Sequence, residues 1–131
     1  MDWCTERTRF LPPLKGWVSA LDYVDDICEA VEKIERYTAG MDYEEFVDDE
    51  RTVDAVLRNF EVIGEAAKNV PEEIRREHDD VPWSEMAGMR DKLIHGYATI
   101  ELQIVWETVE EEIPTLKPRM EAVRAELETG R

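Results

Sequence analysis

Trp83-Ser84-Glu85-Met86-Ala87-Gly88-Met89-Arg90-Asp91-Lys92-Leu93-Ile94-His95-Gly96-Tyr97 is the stretch from which the rest of the chain is read. Pro82 ahead of it is tolerated in a first helical turn, and Gly96 is the residue expected just past a helix C-terminus, in the left-handed conformation. The spacing therefore predicts a helix from Trp83 with His95 in its last turn. At about 100° per residue, Trp83, Ala87, Arg90 and Ile94 form one stripe, with Met86 and Leu93 at its edge. Arg90 interrupts that apolar face. An unpaired buried guanidinium is costly, so Arg90 must be paired or must line a cleft. Asp91 and His95 stand one turn apart, which lets the carboxylate orient the imidazole. Arg90 and His95 point about 140° away from each other on one helix. Two such helices from two protomers, packed around a two-fold axis, would bring both pairs into one groove.

Upstream, Ser19 is placed to cap a helix carrying Leu21, Val24, Ile27/Cys28, Val31 and Ile34, which should end near Gly40. Asp42 with Glu45 has the spacing of a capping box and opens a short helix through Phe46. A long helix from Arg51 carries Val53, Val56/Leu57, Phe60, Ile63, Ala67 and Val70. On it Glu61 and Glu65 share a face at i, i+4, with Arg58 close by. These read best as ion-pair partners, one carboxylate meeting Arg58 or Arg90, since no His or third carboxylate joins them at ligand spacing. Gly64 suits a close helix crossing. Pro71 starts a short charged helix, and His78 after it reads as a lone exposed side chain with no chemical role.

Downstream, Thr99 is expected to cap a long helix through Leu102, Val105, Val109, Ile113, Leu116, Met120, Val123 and Leu127. Pro114 and Pro118 should bend or split it. No strand-like alternation, Gly-rich phosphate loop, Cys/His metal cluster or internal repeat is present. The prediction is an all-α, up-and-down helical bundle over residues 19–131, dimerising through the helix that begins at Trp83, behind an N-terminal extension over residues 1–18. Trp3, Phe10 and Trp17 are candidates to dock that extension.

The length, 131 residues, suits one domain. Cys4 and Cys28 lack metal spacing, which argues against a disulfide scaffold and for a reducing cytoplasm. No apolar run reaches the roughly 18 residues of a membrane helix. The formal net charge is −16, from 32 acidic against 16 basic residues, of which only five are Lys. A protein that grips nucleic acid by its phosphates normally shows a basic footprint. Any such contact here must be small and local, or made in a cytoplasm salty enough to screen the repulsion; an acidic solvated surface is the plain alternative.

Arg90, His95 and Tyr97, in the pattern Arg-x4-His-x-Tyr at a helix end, resemble the signature of the HEPN superfamily and specifically of its HepT-like toxins. The stretches Arg58–Lys68, Val81-Pro82-Trp83 and Ile104–Val109 resemble that family too, and the likeness runs from about Leu21 to about Val123. The resemblance implies a HEPN-type homodimeric bundle and a ribonuclease using Arg90 and His95, with Asp91 in support. It also implies a Tyr97 that a minimal nucleotidyltransferase antitoxin of the MntA type modifies with adenylate, in a type VII-like toxin–antitoxin module. RNA, either tRNA or mRNA, would be the substrate, with no cofactor, no metal and no membrane partner.

The residue types suit that chemistry. Cleaving RNA without a metal needs a group to take the 2′-hydroxyl proton, one to protonate the leaving 5′-oxygen, and a cation for the charge building on phosphorus. Histidine can serve the first two roles and arginine the third. At a helix C-terminus beside Asp91, the imidazolium of His95 is favoured. The same residues also have a purely structural reading, with Arg90 in a buried ion pair, His95 capping the helix and Tyr97 packed in the core. A further alternative is a non-catalytic helical partner, substrate-binding or adaptor, of a nucleotidyltransferase.

Overall fold

The computed structural model describes residues 15–95 and 101–129, with side chains described over 20–89 and 101–129. Among the described residues there are helices and no strands. They are α1 (Lys15–Thr38), α2 (Tyr43–Asp48), α3 (Glu50–Asn69), α4 (Glu72–Glu77), α5 (Trp83–His95), α6 (Leu102–Glu107) and α7 (Ile113–Glu128), with a π-type turn, Thr108–Glu112, joining the last two.

Helix α1 buries Ala20, Val24, Ile27, Val31 and Ile34, the series its period predicts. Its described part already includes Lys15, so Ser19 lies inside the helix and does not cap it. The helix ends at Thr38, and Gly40 in the turn after it has a φ of +78°, the left-handed conformation that side-chain-bearing residues avoid. Asp42 then forms the expected capping box: its carboxylate accepts from the Glu45 N–H at 2.8 Å, and the Glu45 carboxylate accepts from the Asp42 N–H at 2.9 Å. One turn of helix is enough to bury Phe46 completely, its ring 5.0 Å from that of Trp106 on α6. Burial of this size stabilises by about 2–3 kcal/mol, which anchors α2 despite its six residues.

Asp49 caps α3 by accepting from the Thr52 N–H at 3.1 Å. Helix α3 is the centre of the fold, with α1 on one side and α5 on the other, while α7 packs on α1. Its inward face is Val53, Val56, Leu57, Phe60, Ile63 and Ala67, and Gly64 is buried as well.

The last helical segment begins at Leu102 with Glu101 in the capping position and no side-chain cap. Thr99, expected to cap it, lies outside the described residues. The predicted bend takes the form of the π turn, in which the Ile113 N–H reaches back five residues to the Thr108 carbonyl. Pro114 has no N–H and its ring would crowd the Glu110 carbonyl, so a locally wider turn accommodates it. Pro118 follows inside α7, and the helix continues through it.

Candidate active site and its surroundings

Helix α5 starts at Trp83, directly after Pro82 as expected, and its described part runs to His95; Gly96, the expected stop, lies outside the described residues. Its first turn is held firmly. Trp83 and Met86 are buried against the core, and the Trp83 indole Nε1–H donates to the His78 carbonyl at 2.9 Å. The stripe is therefore centred between Trp83 and Met86, with Ala87 only half-buried.

The two flanks of α5 differ. Position 90 follows Trp83 by seven residues, about two turns, and so falls on the line that meets the core. Position 95 follows Gly88 by the same step. Beside Gly88 there is open space, for a Cβ built there would meet nothing within 4 Å. By register alone, the positions of the candidates Arg90 and His95 continue these two lines. Their side chains, and that of Asp91, lie outside the described residues, as do Gly96 and Tyr97 altogether.

The open flank borders a groove of about 370 Å³ between α5 and α7. Pro82, Glu85, Met86, Gly88 and Met89 form one wall; Thr108 and Glu112 of the π turn and Leu116 and Arg119 of α7 form the other. Phe60 and Ile63 of α3 line it as well. The groove exists because α5 rests on α3 whereas α7 rests on α1, so the two helices do not close on each other.

A second groove, of about 330 Å³, is lined by Tyr23 and Asp26 of α1 and by Arg58, Glu61, Glu65 and Asn69 of α3. The structure brings these three predicted ion-pair residues to one groove; the side chain of Arg90, the other partner expected for a carboxylate, lies outside the described residues. Glu65 accepts from the Asn69 side-chain amide at 3.4 Å. Burial, and then the neighbouring carboxylates Glu29, Asp22 and Asp25, raise the pKa of Asp26 above the usual carboxylate range.

Elsewhere the few basic residues are spent on helix contacts. Lys117 meets Glu35 at 2.9 Å and Arg124 meets Asp25 at 3.9 Å, both tying α7 to α1. Arg119 donates through Nη1 to the Asp80 carbonyl at 2.6 Å, tying α7 to the loop ahead of α5. Cys28 is buried with a free thiol, and burial pushes its pKa up to about 11, which makes it unreactive at neutral pH.

His78 corrects the sequence reading. It is not a lone exposed side chain, because its Nε2 lies 2.6 Å from Oε1 of Glu126 and its ring is only 16% exposed. Glu77 completes a cluster in which one ligand-type atom from each residue lies within 4.8 Å of the others. Forty-eight residues separate His78 from Glu126, so no local spacing announced the meeting.

The model of the family described as "Ribonuclease HepT-like" matches residues 27–123. The chain belongs to the HepT-like ribonuclease family. This HEPN-superfamily membership accounts for the all-α bundle and places the chain among RNA-cleaving enzymes. A protein of Thermococcus cleftensis named "Probable ribonuclease HepT" is 48% identical over 103 residues, covering 79% of this chain and 94% of that one. Two relatives provisionally named as RNases are similar over comparable lengths. One, from Caldanaerobacter subterraneus, is 43% identical over 101 residues, 77% of this chain and 90% of its own. The other, from Methanocaldococcus jannaschii, is 44% identical over 108 residues, 82% and 87% of the two chains. No solved structure matches the chain. The family match contains all of α5, so Arg90, Asp91 and His95 lie within it and so does Tyr97. Among the described residues, no helix of this HepT-like chain is long and apolar enough to cross a membrane.

Proposed function

We propose that this chain is the toxin of a type VII-like toxin–antitoxin module, a metal-independent endoribonuclease whose site is shared between the two protomers of a homodimer. The observation that supports the reading is the open flank of α5 at Gly88, beside the groove between α5 and α7, since by register position 95 continues that flank while position 90 continues the line of Trp83. A second α5 laid along that open flank by a two-fold axis would place an arginine and a histidine from each protomer around one cleft. In that cleft His95 moves the protons of the 2′-hydroxyl and the leaving 5′-oxygen. Arg90 carries the charge developing on the phosphorus oxygens, and Asp91 orients the imidazole.

Tyr97, two residues past His95, is the site at which a nucleotidyltransferase antitoxin adds adenylate. A phosphate there repels the RNA backbone and offers Arg90 a competing anion, so silencing needs no tight complex. The experiment is co-expression with the cognate nucleotidyltransferase, followed by intact-mass measurement. A mass gain of adenylate that disappears in Tyr97→Phe supports the reading; neutralisation with unchanged mass rejects modification and favours occlusion of the groove.

The net charge of −16 favours one alternative, a non-catalytic helical partner that binds a nucleotidyltransferase and no RNA. Purified chain that cleaves RNA by itself excludes it.

A further inference from the structure

We propose that Glu77, His78 and Glu126 form a binding site for one divalent transition-metal ion of the zinc kind, which clamps the end of α4 onto the last turns of α7. The site is separate from the proposed ribonuclease centre and serves structure.

The three side chains come from two places in the chain. Glu77 is the last residue of α4, His78 follows it at the C-cap, and Glu126 lies near the end of α7. Their ligand-type atoms already lie within 4.8 Å of one another, with His78 Nε2 and Glu126 Oε1 at 2.6 Å. A tetrahedral ion held at about 2.0–2.2 Å keeps two donors roughly 3.3 Å apart, so that pair must open by about 0.7 Å and Glu77 must swing inward. Both glutamates are exposed and free to make that adjustment, whereas the imidazole is mostly covered. The His78 backbone is also held, its carbonyl accepting from Trp83 and its N–H donating to the Ile74 carbonyl at 3.0 Å. One donor is thus preplaced and two are adjustable, and water is left to complete the coordination.

The donor set selects the ion. An imidazole nitrogen with two carboxylate oxygens suits zinc and its neighbours, whereas magnesium and calcium prefer oxygen throughout and copper(I) prefers sulfur. The strongly acidic chain, with Asp79 and Asp80 exposed next in sequence, raises the local concentration of cations.

The site's position states its effect. Arg119 already ties the loop at Asp80 to α7, two turns before Glu126. An ion at Glu126 would add a second tie to the same stretch, just ahead of the first turn of α5. Position 95 is about 18 Å further along the helix axis, too far for the ion to touch a group there.

The test is zinc titration of the untagged chain by calorimetry and thermal melting. One ion should bind per chain, raise the melting temperature and be removed by chelation, while magnesium at the same concentration produces no shift. Glu77→Gln keeps the His78–Glu126 pair, so its metal-free melting should match the parent while its zinc affinity falls roughly tenfold or more. His78→Gln should abolish binding, and His95→Ala should titrate like the parent. No saturable zinc binding, a magnesium shift equal to that of zinc, or binding unchanged in Glu77→Gln and His78→Gln would overturn the proposal. So would loss of zinc binding in His95→Ala, which would move the ion to α5.

Discussion

The indole Nε1–H of Trp83 donates to the backbone carbonyl of His78 at 2.9 Å, which fastens the first residue of α5 to the end of α4. Trp83→Phe keeps an aromatic ring in the core but loses this bond and part of the indole's bulk, so it should cost about 1–3 kcal/mol in urea unfolding. Trp83→Ala also leaves a cavity beside Met86 and should cost about 3–5 kcal/mol. If the two variants were equally unstable, the hydrogen bond rather than the ring would be what holds the helix start.

His95→Ala and Arg90→Ala should each abolish RNA cleavage and growth arrest, while stability stays within about 1–2 kcal/mol of the parent. Chelation should leave cleavage intact even where it lowers the melting temperature, since the proposed ion site joins α4 to α7 ahead of the first turn of α5. An activity that EDTA removes, or full cleavage by the His95→Ala protein, would contradict the proposed mechanism.

Gly88 offers a clean test of the shared groove. A side chain there meets nothing within 4 Å, and replacing a helical glycine removes its entropic cost of about 0.5–1 kcal/mol. Gly88→Arg should therefore fold at least as stably as the parent within one chain, yet fill the space a second α5 would enter. Light scattering at high salt should show a dimeric parent and a monomeric, cleavage-deficient variant. A parent that stays monomeric across a wide concentration range would end the dimer model.

Two carboxylates should respond to pH in opposite directions. Burial, then Glu29, Asp22 and Asp25, raise the pKa of Asp26, so the folded chain binds that proton more tightly than the unfolded one. Its contribution is favourable below the unfolded pKa and is lost as pH rises through the folded value. Asp26→Asn should accordingly raise the melting temperature at neutral pH, with a gain that fades in acid. Since most of the causes after burial are like charges, added salt should also shrink the gain. Asp49 is the reverse case, its pKa lowered by the hydrogen bonds from Thr52. Its stabilisation is present above the unfolded pKa and is lost as pH falls through the folded one. Asp49→Ala should lower the melting temperature at neutral pH, and the difference should close in acid, once pH falls below the ordinary carboxylate range. Melting series of both variants across that range check both signs.

What the sequence determined by itself was local. Pro82 marks the start of α5, Asp42 and Glu45 close a capping box, and the periods of α1 and α3 name their buried faces, because neighbours within four residues decide these features. The same kind of signal places Arg90 and His95 on different lines of one helix. The start of α1 was misjudged at Ser19, since a capping residue type signals an end only where the chain before it is not already helical. Pro114 announced a disturbance, but not that the backbone would answer it with a π turn. Tertiary structure alone decided that His78 meets Glu126, that Tyr23 and Asp26 of α1 face Arg58, Glu61 and Glu65 across one groove, and that α5 and α7 leave a groove between them. Each depends on where a distant helix comes to rest, and helices α3 and α1 set those positions by burying their apolar faces, with no regard to which polar residues are thereby brought side by side.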